Sequence, residues 1–188
     1  TSYVVYVVYV VYVVYVVNAF TDNLILIFWL FEISLVKLHI VCFLRCFTMK
    51  VLVTGGAGYI GSHTALALLQ AGHDVIVLDN LCNGSTDAVA RVKKLVEKNV
   101  EFFEGDIRDA KLLRDLFERY SIESVIHLAG LKAVGESAQI PLAYYNNNVT
   151  GTLVLLDEMK RATVSKLVFS SSATIYGEKA SVPYIEEF

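Results

Sequence analysis

The sequence predicts an α/β fold built on a doubly wound parallel sheet, and three observations support this prediction. From residue 49 onward, short apolar runs alternate with longer segments of helical periodicity. The first run leads into a glycine-rich turn, and a helical pattern follows it directly. A short polar or small-residue segment follows each run, as expected where parallel strands end at one ligand-binding edge. The continuous apolar character of the runs indicates strands that helices cover on both faces.

Five of the apolar runs are predicted to be strands. They cover residues 50–54, 74–79, 100–104, 124–127 and 166–170. Helical patterns lie between the strands, and the clearest cover residues 59–70, 109–120 and 142–161. The first of these helices ends before Ala71-Gly72, a common helix stop, and the third follows Pro141, a common helix start.

The glycine-rich turn, Thr-Gly-Gly-Ala-Gly-Tyr-Ile-Gly at residues 54–61, has the spacing of a phosphate-binding turn. Gly55 would permit the tight turn, Gly58 the approach of backbone to a pyrophosphate, and Gly61 the close packing of the next helix. The free N–H groups and the dipole at the start of that helix favour an anion. An ordinary tight turn is the alternative for the glycines alone, and the flanking strand and helix favour the phosphate site.

Asp79 closes the second apolar run, about 20 residues beyond the glycine turn. A carboxylate at this place can accept hydrogen bonds from both hydroxyls of an adenosine ribose, and it would repel a 2′-phosphate. The alternative is a carboxylate that caps the turn before Asn80. The strand–helix–strand context favours the cofactor role, and the sequence therefore predicts NAD rather than NADP.

Composition limits the class of partner. The chain has 188 residues, 55% of them hydrophobic, and a formal net charge of −3, which is sufficient for one domain with an apolar core. The acidic balance and the lack of a basic run argue against nucleic acid as the main partner and favour small molecules. Three cysteines, Cys42, Cys46 and Cys82, lack metal-ligand spacing, and this sparse set is typical of a reducing compartment such as the cytoplasm.

Residues 1–48 differ from the rest of the chain and are predicted to be a low-complexity hydrophobic leader outside the fold, which covers 49–188. The leader begins with a Tyr-Val-Val repeat, whose period of three matches neither a helix nor a strand. Our hypothesis is that the natural protein starts at Met49. A membrane anchor is the competing hypothesis, which we disfavour because a span needs about 20 apolar residues and charged residues interrupt the second half of the leader.

Further segments complete the pattern of the strand ends. Gly-Asp-Ile-Arg-Asp occupies residues 105–109, and Ser-Ser-Ser-Ala-Thr-Ile-Tyr-Gly occupies residues 170–177. His-Leu-Ala-Gly-Leu-Lys-Ala-Val-Gly-Glu-Ser lies at 127–137, and Asn-Asn-Asn-Val lies at 146–149. Together with the glycine turn, these segments resemble the extended short-chain dehydrogenase/reductase family over residues 49–188. The segment at 127–137 resembles the UDP-glucose 4-epimerase branch of that family.

The resemblance implies a partial Rossmann domain with a sheet order similar to 3-2-1-4-5, which lacks the family's last strands and its substrate domain. It also implies NAD as the cofactor, a UDP-sugar as the substrate and a homodimer as the full-length assembly. The residues that it places at the NAD site are Gly55, Gly58, Tyr59, Ile60, Gly61, Asp79, Asn80, Leu81, Cys82, Asn83, Gly84, Asp106, Ile107, Leu128, Ala129, Gly130, Leu131, Lys132, Asn147 and Ser172.

The same resemblance implies a role for each part of the predicted NAD site. Tyr59 and Ile60 would contact the pyrophosphate, residues 79–84 would surround the adenosine ribose, and Asp106 with Ile107 would contact adenine. Residues 128–132 would pass beneath the cofactor toward the nicotinamide ribose.

Four further polar side chains are considered one by one. Asn147 would fix either backbone or cofactor from the long helix, and Lys132 would supply a cation near developing negative charge. An ordinary surface lysine is the alternative for Lys132. His127 and Glu136 are expected to be structural.

Ser172 is the residue that the resemblance places at the 4-oxygen of the sugar. The family's catalytic pair, a tyrosine with a lysine four residues later, occurs nowhere in the 188 residues, and Tyr176 is followed at that spacing by Ala180. The implied reaction is the interconversion of UDP-glucose and UDP-galactose through a 4-keto intermediate in a longer protein. We expect the chain alone to be inactive. The alternatives are a non-catalytic NAD-binding module and a related sugar-nucleotide dehydratase or decarboxylase.

Overall fold

A computed structural model of the chain describes residues 4–8, 48–97 and 100–172, with the backbone alone for residues 4–8. The described residues form a sheet of six strands in which every pairing is parallel. The strands are β1 (Val4–Val8), β2 (Lys50–Thr54), β3 (Asp74–Asp79), β4 (Glu101–Glu104), β5 (Ser124–His127) and β6 (Lys166–Ser170). Their spatial order is β1-β6-β5-β2-β3-β4.

The helices connect successive strands. They are α1 (Tyr59–Gln70), α2 (Thr86–Val96), α3 (Ala110–Tyr120), α4 (Val134–Gln139), α5 (Pro141–Tyr144), a π-helix (Tyr145–Thr150) and α6 (Gly151–Arg161). Side-chain caps fix two of the starts: Ser85 Oγ accepts the N–H of Asp87, and Asp109 accepts the N–H groups of Lys111 and Leu112. Within the described residues, no helix is both long enough and apolar enough to cross a membrane.

The predicted sheet order is confirmed for the five strands that begin with β2. Numbered from β2, the order β4-β3-β2-β5-β6 is 3-2-1-4-5. The predicted strand bounds match except at Val100, which precedes β4, and the predicted helix at 142–161 starts at Pro141 and contains the π-helix. Because all strands are parallel, their carboxyl ends and the loops that follow them meet at one edge of the sheet.

Five residues of the Tyr-Val-Val repeat form a strand, whereas the sequence predicted that the whole repeat lies outside the fold. Val4–Val8 forms β1 and pairs with β6, with Val4 opposite Lys166 and Val8 opposite Ser170. Strand pairing uses backbone groups and favours β-branched and aromatic residues, so it does not require a side-chain period of two. The remaining leader residues, except Thr48, lie outside the described part of the chain, and the proposed domain boundary at Met49 stays a prediction.

Two apolar clusters fill the two faces of the sheet. Alternate residues of β2 point to opposite faces, so that Val51 and Val53 belong to one cluster and Leu52 belongs to the other. The first cluster includes α1 and α2 residues, among them Ala65, Leu68, Leu69, Val89 and Val92. The second includes α3 and α6 residues, among them Leu113, Leu116, Phe117, Leu155 and Met159. Helices therefore cover both faces, as in a doubly wound sheet.

Candidate functional site

The glycine turn connects β2 to α1 and packs directly on the loop that follows β5. Gly55 has φ +70°, a conformation that favours glycine, and its N–H donates to the carbonyl of Leu78 at 2.8 Å. A Cβ on Gly55 would lie 2.7 Å from the backbone nitrogen of Ala129. Glycine is thus required at this position both by the backbone conformation and by the close approach of two loops.

Gly61 and Gly58 serve different purposes at the start of α1. A Cβ on Gly61 would lie 2.1 Å from the carbonyl oxygen of Gly55, so Gly61 allows the helix to pack against the turn itself. A Cβ on Gly58 would meet only the Gly55 carbonyl oxygen, at 3.3 Å, among the described residues within 4 Å. The backbone of Gly58 is therefore open to a ligand on its outer side.

The amino end of α1 offers N–H groups to an anion. The first helical hydrogen bond is donated by Ser62 to the carbonyl of Gly58 at 2.9 Å, and no side chain caps this end. The N–H groups of Tyr59 and Ile60 precede that bond and have no acceptor within the helix. An open glycine beside an uncapped helix start fits the pyrophosphate of a dinucleotide.

Asp79 lies behind the glycine turn at the end of β3, and its side chain is buried. One carboxylate oxygen accepts the N–H of Ala57 at 2.9 Å, and the other accepts the N–H of Leu81 at 2.8 Å. Leu81 has φ +58°, a conformation that is uncommon for leucine, and the second of these bonds helps to hold it. The bond to Leu81 is the turn cap that the sequence offered as the alternative role of Asp79, whereas the bond to Ala57, which joins this loop to the glycine turn, was not predicted.

The loop at 80–84 is polar and mostly exposed. The N–H of Cys82 donates to the side-chain oxygen of Asn80 at 3.2 Å, and the thiol of Cys82 is free and exposed. A Cβ on Gly84 would lie 2.9 Å from Asp79 Oδ1, so the loop packs closely on that carboxylate. Gly84 and Asn83 also line an open groove of about 440 Å³ between α1 and α2, together with Gly58 and Tyr59.

Asp106 follows β4 and is engaged by its own loop. Arg108 donates to both carboxylate oxygens, from Nε at 2.9 Å and from Nη2 at 2.6 Å, and Asn80 Nδ2 donates at 3.3 Å. The hydrogen bonds from Arg108 lower the pKa of Asp106 to about 2. The neighbouring Ile107 is buried in the core, so only its backbone is available to a ligand.

His127 at the end of β5 lies in a chain of neutral hydrogen bonds. Its Nδ1 is 2.6 Å from Thr54 Oγ1, and its Nε2 is 2.9 Å from Thr152 Oγ1. Thr152 donates to the carbonyl of Asn148 at 2.6 Å, so it must accept a proton from Nε2. Thr54 then donates to Nδ1 and accepts the N–H of Ala129 at 3.4 Å. Burial lowers the pKa of His127 to about 4, and the ring is therefore neutral at pH 7.

The loop at 128–132 is held from the π-helix. The side-chain oxygen of Asn148 accepts the N–H of Leu131, and its amide nitrogen donates to the carbonyl of Leu131, both at 2.8 Å. Asn147 is buried and donates to Asn148 Oδ1 at 2.9 Å. Gly130 and Lys132 are exposed, and the Lys132 ammonium group forms no ion pair within residues 48–97 and 100–172.

Tyr144 holds the segment that follows this loop. Its hydroxyl donates to Glu136 Oε2 at 2.6 Å and accepts the N–H of Ala133 at 3.1 Å. The bond to Glu136 raises the pKa of Tyr144. Glu136 thus helps to hold Tyr144, and the structural roles expected for Glu136 and His127 stay predictions.

Except for Asn147, which lies in the π-helix, the predicted site residues thus follow the carboxyl ends of β2, β3, β4, β5 and β6 along one edge of the sheet. Ser172, exposed and two residues beyond β6, is the last described residue, and the predicted loop residues 173–177 lie outside the described part. The sequence missed the residues that hold these loops in place, namely Thr54, Tyr144, Asn148 and Thr152. Their signal, hydroxyl or amide groups next to strand ends, is too common to single them out.

The fold and the glycine turn define a Rossmann-type domain of the dinucleotide-binding class. The chain belongs to the GDP-mannose 4,6 dehydratase family, whose model matches residues 52–188. Curated relatives include the UDP-glucose 4-epimerases of Erwinia amylovora, 61% identical over 138 residues, and Neisseria gonorrhoeae, 57% identical over 139 residues. These alignments cover 73% and 74% of this chain, and the chain spans 41% of the length of either relative.

The solved structures to which the chain is similar also include UDP-glucose 4-epimerases. UDP-glucose 4-epimerase from Stenotrophomonas maltophila, with bound NAD and formylated UDP-arabinopyranose, matches with a TM-score of 0.71 and 46% identity. The enzyme from Bifidobacterium longum, in complex with NAD+ and UDP, matches with a TM-score of 0.71 and 51% identity. Each alignment covers 73% of this chain and 41% of the solved chain. The predicted resemblance to UDP-glucose 4-epimerases is thereby confirmed.

Replacement of Gly61 by Ala should destabilise the fold. The added Cβ would overlap the Gly55 carbonyl oxygen, and relief of that overlap requires a backbone shift, so we expect a loss of roughly 3 kcal/mol in the free energy of unfolding. Urea denaturation followed by circular dichroism measures this loss. Gly135→Ala is the matched control, because a Cβ there meets nothing within 4 Å. Equal stability of the two variants would contradict the close packing at Gly61.

The buried His127 should make stability depend on pH. Its pKa of about 4 lies below the usual 6.5, so the unfolded chain takes up the proton first as the pH falls. The contribution is complete above pH 6.5, and up to roughly 3 kcal/mol is lost between pH 6.5 and pH 4. The measurement is the free energy of unfolding across this range for the wild type and for His127→Gln. The wild type should show the steeper fall, and parallel curves would show that His127 titrates normally.

Proposed function

We propose that the chain is the NAD-binding part of a UDP-glucose 4-epimerase, a protein that interconverts UDP-glucose and UDP-galactose. The observation that carries this proposal is the glycine turn, where Gly58 is open beside the uncapped start of α1. The similarity to epimerases solved with NAD supports the same cofactor here. All curated relatives that we compare are named as epimerases, which favours this activity over that of a related dehydratase or decarboxylase.

In the proposed complex, the backbone of Gly58, Tyr59 and Ile60 binds the pyrophosphate. Asp79 accepts hydrogen bonds from the adenosine ribose through the lone pairs that Ala57 and Leu81 leave free. Its negative charge disfavours a 2′-phosphate, and NAD is therefore preferred to NADP. Asp106 is placed for the adenine amino group, which would share the carboxylate with Arg108.

The remaining contacts lie on the nicotinamide side of the proposed site. The backbone at 128–132 passes beneath the cofactor, since Ala129 already packs on the glycine turn. Lys132 is exposed and supplies a positive charge near the sugar, and Asn147 reaches this region from the π-helix. Ser172, just beyond β6, contacts the 4-oxygen of the sugar.

When bound, NAD would accept a hydride from C4 of the sugar and would then return that hydride to the 4-keto sugar. The chain's own residues bind and orient both molecules and hold the sugar oxygen through the hydroxyl of Ser172. A general base must remove the proton of the 4-hydroxyl. The family's Tyr-x-x-x-Lys pair occurs nowhere in the 188 residues, and we propose that they do not catalyse the reaction alone.

We further propose a cytoplasmic homodimer. The second copy would pack on the exposed face of the helical segment formed by α5, the π-helix and α6. Five large apolar side chains line this face at spacings of three and four residues: Leu142, Tyr145, Val149, Leu153 and Leu156. This spacing produces one continuous apolar stripe, and such stripes are typical of helix–helix interfaces. The cytoplasm remains the compartment that the sparse cysteines predict.

Gly58→Val tests the proposed cofactor site. The valine side chain would occupy the space in front of the turn, where the pyrophosphate must approach, so NAD binding should weaken by about 100-fold or more. Isothermal titration with NAD measures the affinity, and thermal unfolding should show an intact fold because the Cβ itself makes no severe overlap. Gly135→Val, at an exposed glycine outside the turn, is the control. Unchanged NAD affinity in a folded Gly58→Val protein would refute the site.

Leu153→Glu tests the proposed dimer. A charge in the middle of the apolar stripe would be desolvated in the interface, so the variant should sediment as a monomer at concentrations where the wild type is a dimer. Leu95→Glu is the matched control, because Leu95 is a similarly exposed leucine on α2, outside the stripe. The proposal fails if the wild type is monomeric or if Leu153→Glu remains dimeric.

A further inference from the structure

Asn148 makes two complementary hydrogen bonds to the backbone of one residue. Its Oδ1 accepts the N–H of Leu131, and its Nδ2 donates to the carbonyl of Leu131, so a single planar amide satisfies both backbone groups. The donor at Leu131 fixes the orientation of the amide, since a flipped amide would place two donors together. Asn147 adds a third bond to the same Oδ1 at 2.9 Å.

The support of Asn148 is a π-helix within an otherwise α-helical segment. In this segment the N–H of Gly151 bonds to the carbonyl of Asn146, five residues earlier. The hydroxyl of Thr152 satisfies the carbonyl of Asn148, and Thr152 is in turn fixed by His127. The backbone that carries Asn148 is therefore anchored to the end of β5, from which the loop at 128–132 emerges.

The loop at 128–132 has no regular secondary structure, yet it packs on the glycine turn. The closest approach is at Ala129, whose backbone nitrogen leaves no room for a side chain on Gly55. Within the described residues, two bonds from its backbone hold the loop to β2: Leu128 N–H donates to the carbonyl of Thr54 at 3.1 Å, and Ala129 N–H donates to Thr54 Oγ1 at 3.4 Å. The amide of Asn148 fixes the loop further on, at Leu131.

We propose that Asn148 is a positioning residue, which sets the backbone of the loop at 128–132 for the nicotinamide half of NAD. This inference rests on the proposed function and extends it to a residue that would act through the backbone of Leu131. Asn148 differs from Asn147 in its contacts: the side chain of Asn148 bonds to the loop backbone, whereas that of Asn147 bonds to Asn148. A loop freed at Leu131 must be ordered again when the cofactor binds, and that ordering weakens affinity.

The test compares Asn148→Ala with Asn146→Ala in the full 188-residue chain. Asn146 is a matched control because it lies on the same π-helix, is exposed and forms no side-chain hydrogen bond within the described residues. Titration with NAD and with ADP separates the two halves of the cofactor. Asn148→Ala should weaken NAD by roughly 10-fold, as expected for the loss of about one net hydrogen bond, and should change ADP by less than about twofold. Asn146→Ala should change neither.

Hydrogen exchange provides a readout that needs no cofactor. In the wild type, the Leu131 amide should exchange more slowly than the Lys132 amide, which has no acceptor among the described residues. Asn148→Ala should remove this protection and Asn146→Ala should keep it. Equal exchange at Leu131 and Lys132 in the wild type, or unchanged NAD affinity in folded Asn148→Ala, would overturn the proposal. Failure of the wild type to bind NAD would refute the proposed function separately. The exchange at Leu131 would still test whether Asn148 holds the loop.

Discussion

The close approach of two loops at Gly55 is the constraint on which the rest of the site depends. The glycine turn and the loop after β5 meet with no side chain between them, because a Cβ on Gly55 would lie 2.7 Å from Ala129 N. This approach fixes the relative position of the end of β2 and the end of β5, and α1 starts from the same turn. Asp79 extends the arrangement to β3, since its carboxylate bonds to the turn and to the loop beyond.

Glycines at the site divide into those enclosed by backbone and one that is open on its outer side. Gly61 and Gly55 are enclosed by backbone, so their lack of a side chain is required even in the free protein. Gly58 is less enclosed, since a Cβ there would meet, among the described residues, only the Gly55 carbonyl oxygen, at 3.3 Å. The glycines of one motif therefore have different surroundings, and a substitution at one of them does not report on the others.

The sequence predicted the sheet and the loops that form its edge, because continuous apolar runs and strand-end polar residues are local signals. Asp79 was predicted for the same reason, although its bonds to Ala57 and Leu81 depend on tertiary contacts that the sequence does not display. The role predicted for Asn147 stays a prediction, and the contacts of Asn148 with Leu131 were not predicted, because three consecutive asparagines do not indicate which one faces the loop. The strand at Val4–Val8 was missed because the period of three in the Tyr-Val-Val repeat does not match the alternation of a strand, although valine and tyrosine both favour strands.

The hydrogen bonds through His127 all run in one direction, from the N–H of Ala129 to the carbonyl of Asn148. Two backbone groups of opposite polarity are thus joined through three uncharged side chains in the interior. This link between the ends of β2 and β5 carries no charge, so the charges at this edge of the sheet are those of other groups, among them Asp79 and the Asp106–Arg108 pair, together with the dipole at the start of α1. A ligand at this edge would therefore meet a brace between β2 and β5 that adds no charge of its own.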